Sequence, residues 1–106
     1  MGAEGLTMKK IAIVDDQESA RSAVHSVIED VLSNEDLEAE WGIVSIAPLA
    51  DIGAYASFID SEEVAILLID ERLGESPDAS GNTVKYKGSE LVEELRKNHK
   101  QMPIYG

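Results

Sequence analysis

The chain has 106 residues and a net charge of −12, from 21 acidic against 9 basic side chains. It is therefore one small domain at most, and its charge argues against binding nucleic acid or an anionic membrane while suiting cationic partners, metal ions included. It has no cysteine, which excludes a disulfide framework, a thiol nucleophile and a thiolate metal site, and no apolar stretch approaches the ~18 residues that would span a membrane.

The absence of cysteine fits a cytoplasmic protein, and the opening "MGAEGLTMKK" lacks the hydrophobic segment of a signal peptide. Residues 1–7 read as a flexible leader, and 8–106 as the domain. Lys9 to Val14 is a short run rich in Ile and Val without alternation, the pattern of a strand buried on both faces of a parallel sheet. Ala20, Val24, Val27, Ile28, Val31 and Leu32 then recur at helical spacing and predict a helix from about Glu18 to Leu32. After the polar connection "SNEDLEAE", "WGIVSIAP" reads as a second strand stopped by Pro48. "LADIGAYASFID" reads as a helix weakened by Gly53, and "VAILLID" as a third strand. Ser89 to Asn98 returns to a helix with Leu91, Val92 and Leu95 on one face, and "MPIYG" begins a fourth strand. The alternation of strand and helix predicts an α/β fold with a parallel sheet and right-handed crossovers.

One connection stands out. Residues 71–87 separate the third strand from its helix, far more than the about 2–6 residues usual there. Connections of that length are either functional or disordered.

The hydrophobic runs of the first and third strands both end in aspartate: Asp15 and Asp16 after "IAIV", Asp70 after "VAILLI". Ligands of open parallel sheets bind beyond the carboxyl ends of the strands. If these strands are neighbours, three carboxylates converge on one pocket, raise one another's pKa and oppose folding unless a cation neutralises them. Mg²⁺ is a hard ion that prefers oxygen ligands and suits that task. A plainer alternative makes Asp16 the N-cap of the first helix and Asp70 a turn residue.

At this point the chain resembles a known family. "KKIAIVDDQESARSAVHSVIEDVL" looks like the start of a response-regulator receiver domain, "VAILLIDERLG" like the segment carrying its phospho-accepting aspartate, and "GSELVEELRKNHKQMPIYG" like its third helix and fourth strand. The resemblance implies a flavodoxin-like, doubly wound parallel sheet of strand order 2-1-3-4, incomplete because the fifth strand is absent. It implies that Asp70 accepts a phosphoryl group from a histidine kinase or phosphotransfer protein. Asp15, Asp16 and Asp70 would hold Mg²⁺, with Asp16 the direct ligand of the pair, and the backbone carbonyl of Arg72 would complete the protein's share. On this reading the chain is a signalling module of a two-component phosphorelay, not an enzyme, with no catalytic residue beyond the phosphoacceptor. The family's Ser or Thr at the end of the fourth strand and Lys at the end of the fifth have no counterpart before Gly106. The chain accordingly reads as C-terminally truncated, with self-association expected through the open edge. Residues 74–87 exceed the family's pattern and would act as a lid or docking loop, or as a solvated insertion.

Two other functions compete. A degenerate receiver would serve only as a protein-interaction domain. A Mg²⁺-dependent phosphohydrolase of the D-x-D type would need a motif that "VDDQ" lacks. The remaining candidates have structural roles. His25 is expected half-exposed on the first helix beside Arg21, His99 and Lys100 near a helix C-terminus complement its dipole, and Trp41 packs. Lys85, Lys87 and Lys100 are poorly placed to replace the family's lysine, and no phosphate-binding G-x-x-x-x-G-K-S/T loop is present.

Overall fold

A computed structural model describes residues 9–74, 83–100 and 102–105. The expected leader 1–7 and the centre of the long connection, 75–82, lie outside the described residues. The elements follow the predicted order: β1 (Lys9–Val14), α1 (Glu18–Asn34), β2 (Trp41–Ile46), α2 (Ala54–Glu62), β3 (Val64–Ile69), α3 (Gly88–Asn98) and β4 (Ile104–Tyr105). The four strands form one sheet in the order β2-β1-β3-β4, and all three pairings are parallel. This is the α/β, flavodoxin-like arrangement expected from the sequence.

Register decides which side chains share a face. Ala12, Val44 and Leu67 lie in one row, as do Val14, Ile46 and Ile69. They meet Tyr55 and Ile59 of α2 and Leu91 and Leu95 of α3 in the principal core. The alternate residues Ile11, Ile13, Ser45, Ile66 and Leu68 point the other way, toward α1, where His25 Nδ1 lies 3.4 Å from Ser45 Oγ. Helices thus cover both faces, and the central strands β1 and β3 have room for little except Ile, Val, Leu and Ala.

One expectation needs correction. The segment 49–53 is a turn rather than the start of α2, which begins only after Gly53. Glycine is a weak helix former, and the turn is held independently: Tyr55 Oη accepts the Leu49 N–H at 2.8 Å. That hydroxyl also bonds the Tyr86 hydroxyl at 2.7 Å, and Tyr86 in turn donates to the Leu49 carbonyl. The rings meet edge to face at 6.1 Å. Burial, first of all, pushes both phenols above their usual range, so this pair stays protonated and staples the start of α3 to the β2–α2 turn.

Helix α1 forms where the spacing predicts it, but its apolar residues are only partly covered. Of the six residues at helical spacing, only Leu32 is buried; Val24, Val27 and Val31 are 37%, 62% and 52% exposed. These valines form a stripe beside the buried one (positions i, i+3 and i+7), and α1 lies over β2 and β1 rather than over β3. Beyond the end of α3, Arg96 ties the helix to the connection that follows. Its guanidinium donates to the Met102 carbonyl at 2.6 Å and to the Lys100 carbonyl at 3.3 Å. A long guanidinium side chain can hold several carbonyls of one irregular segment at once.

Candidate metal centre

The parallel sheet brings the carboxyl ends of its central strands together. Asp70 N–H donates to the Val14 carbonyl at 3.0 Å, and Asp15 N–H to the Ile46 carbonyl at 3.3 Å, so strand pairing continues into the acidic residues and fixes their backbones. Asp15, Asp16 and Asp70 each offer a carboxylate oxygen, and those atoms lie within 4.8 Å of one another. Asp16 is buried, whereas Asp15 and Asp70 reach solvent. A shallow cavity of about 280 Å³ opens beside them, lined by Val24, Leu68 and Ile69 together with Asp15 and Asp70.

The local geometry orients each carboxylate. Asp15 Oδ1 accepts the Gln17 N–H at 3.0 Å, and the Arg21 guanidinium reaches back to the Asp15 carbonyl at 2.6 Å. Asp70 Oδ2 accepts the Arg72 N–H at 3.2 Å. Asp70 is therefore a turn residue as well as a pocket residue. Asp16 is not the N-cap of α1. That position belongs to Gln17, whose side chain makes no capping bond.

Charge crowding shows in Asp15. Desolvation is the first cause that raises its pKa above the usual carboxylate value of 3.8; repulsion from Asp70 and Asp16 adds to it, and the Gln17 N–H opposes it. An acid whose folded pKa is raised binds more protons folded than unfolded in the window above 3.8. Its contribution to stability therefore falls as pH rises through that window, and is lowest at neutral pH. Without metal, Asp15→Asn is expected to flatten the decline of the thermal midpoint as pH rises above the usual carboxylate value. An unchanged pH profile in thermal melts of the variant would contradict this origin.

Three oxygen donors that repel one another, one of them buried, fit a hard divalent cation. They form the one group among the described residues able to hold a metal ion.

The far side of Asp70 is built with equal care, in a way the sequence did not announce. Gly88 N–H donates to the Glu71 carbonyl at 3.0 Å, and a Cβ on Gly88 would lie 2.3 Å from the Asp70 carbonyl oxygen. Only glycine lets the first turn of α3 lie this close to the strand end. The Glu71 carboxylate then accepts the Ser89 N–H at 2.7 Å and the Ser89 hydroxyl at 3.1 Å. "Gly-Ser" after a long loop reads only as a helix start, and nothing in it names Glu71 as the partner.

The other candidates stay outside the pocket. His25 faces Ser45 and lies 3.6 Å from Glu29. The half-buried Trp41 starts β2 with the Lys9 ammonium 5.6 Å from its ring centre. Lys85 and Lys87 border a separate cavity with Leu73 and Val84. Compared with protein-family models and with curated protein sequences, the chain gives no match.

Proposed function

We propose that this chain is a phosphoacceptor receiver module of a two-component phosphorelay. Asp70 takes a phosphoryl group from a phosphohistidine of a histidine kinase or phosphotransfer protein, in the cytoplasm. One observation carries the reading: three carboxylates meet at the carboxyl ends of the adjacent, buried, parallel strands β1 and β3. The order of motifs along the chain supports it. Among the described residues no helix is long and apolar enough to cross a membrane.

Asp15, Asp16 and Asp70 would hold Mg²⁺, with the Arg72 backbone carbonyl as a further oxygen donor. The bound ion would supply countercharge to the transferring oxygens. The protein's own residues do the positioning. The Arg72 N–H holds Asp70 Oδ2, leaving Oδ1 as the nucleophile. A P–O bond forms to Asp70 as the donor's P–N bond breaks, and the electron pair returns to the imidazole. The product is an acyl phosphate carrying about −1.5 to −2 charges.

Incubation with a small acyl phosphate and Mg²⁺, followed by intact mass measurement, tests the reading. The expected result is a stable adduct of one phosphoryl group, absent from Asp70→Asn. No adduct would leave a phosphorylation-independent interaction domain as the better reading, and turnover without a lasting adduct would favour a phosphohydrolase.

The proposal extends to self-association. Tyr105 on the outer strand β4 is 58% exposed, and Val24, Val27 and Val31 along α1 are exposed as well. An open strand edge and exposed apolar side chains each favour a partner. Two copies of charge −12 repel, and salt screens that repulsion. Light scattering is expected to show association that grows with concentration and salt and is suppressed by Val27→Asp. A monomer under all these conditions would remove self-association from the reading.

A further inference from the structure

We propose that Glu71 is a positioning residue for Asp70, and that through it the first turn of α3 responds when the aspartate pocket is occupied. The inference rests on the receiver reading but concerns residues that reading does not use. Successive side chains of an extended segment point to opposite sides. Asp70 turns to the pocket, and Glu71 turns away, to Ser89 of α3.

Glu71 and the peptide groups on either side of it are gripped at three places. The Gly88 N–H bonds the Glu71 carbonyl. The Ser89 N–H and hydroxyl both bond the Glu71 carboxylate. The bare Cα of Gly88 lies against the Asp70 carbonyl, with no room there for a methyl group. Glu71 is itself exposed, so burial does not hold it; these contacts do. The Lys87 N–H is satisfied separately by Glu90 at 2.9 Å, which leaves the Ser89 N–H, an orphan donor of the first helical turn, to Glu71.

A grip of this kind works in both directions. It holds the Asp70 carboxylate at one angle to the strand end before any ligand arrives. When a cation draws the Asp70 carboxylate inward, or a phosphoryl group adds charge to it, the peptide cannot tilt without moving Gly88 and Ser89. The close contact leaves little slack, because packed backbone transmits displacement instead of absorbing it. Helix α3 also presents Leu91 and Leu95 to the principal core, so motion at its start reaches the α2 side of the sheet and not the α1 side.

Amide NMR of the whole chain separates this proposal from the reading beneath it. On titration with Mg²⁺ alone, the amides flanking Asp15, Asp16 and Asp70 are expected to shift, and the Ser89 and Glu90 amides to shift with the same midpoint, while His99 at the far end of α3 stays still. In Glu71→Ala the pocket amides still shift, at a midpoint weaker by about tenfold, and the Ser89 response disappears. Glu71→Gln keeps an oxygen acceptor for the Ser89 N–H and is expected to restore that response. Pocket amides that shift in the wild type without Ser89 would overturn the proposal, as would a Ser89 response that survives in Glu71→Ala. If no pocket amide shifts at all, the metal reading fails first and the proposal falls with it.

Discussion

Gly88→Ala is expected to lower the free energy of unfolding by about 2–3 kcal/mol. The added methyl group would meet the Asp70 carbonyl oxygen at 2.3 Å and the Glu71 Cα at 2.9 Å. Both are backbone atoms of a strand end held in the sheet, so no flexible side chain can give way. Alanine is the better helix former, by up to about 1 kcal/mol, but that gain is smallest at the first helical position. Overpacking wins. Urea denaturation measures the loss, and a variant as stable as the wild type would mean that α3 can withdraw from the strand freely. That outcome would also weaken the case for a close mechanical link between the two.

In metal-free buffer, Asp70→Asn is expected to raise the thermal midpoint by about 2–5 °C. The substitution removes one of three converging negative charges. It keeps a side-chain oxygen that can accept the Arg72 N–H, now bonded to Asp70 Oδ2. Repulsion is therefore relieved while the turn survives. With Mg²⁺ the order is expected to narrow or reverse, because a cation stabilises the protein in proportion to how tightly it binds the folded form, and the variant binds it less well. Asp16→Asn is expected to weaken Mg²⁺ binding similarly. Calorimetric scans with and without the ion check both. A lower midpoint for metal-free Asp70→Asn would show that the hydrogen bonds of the carboxylate outweigh the repulsion.

The sequence displayed the sheet with little ambiguity. Unbroken Ile, Val and Leu in "IAIV" and "VAILLI" leave no polar face for water, so both strands had to be central, and an aspartate that ends such a run has to sit at the sheet's carboxyl edge. The aspartate cluster was legible for that reason alone. What escaped were relations between distant residues. Glu71 meets Ser89, Tyr55 meets Tyr86, and Gly88 makes room for Asp70; each pair is decided by how the crossovers pack, which periodicity does not carry. The exposure of the α1 valines was illegible for a different reason. Spacing of three and four residues describes a broad apolar arc, and which part of it turns to the sheet depends on where the helix lies above β1 and β2.

Trp41 is the one tryptophan of the chain, and it opens β2 opposite Lys9, at the end of the sheet away from the aspartates. A strand of this length at ~3.3 Å per residue puts the indole roughly 15–20 Å from the carboxylates. Its fluorescence is therefore a poor gauge of an ion arriving among them and a good one of the β2 edge peeling away. An emission change that accompanies ligand addition would signal rearrangement across the whole sheet, and a silent tryptophan beside shifting pocket amides would mark binding as local.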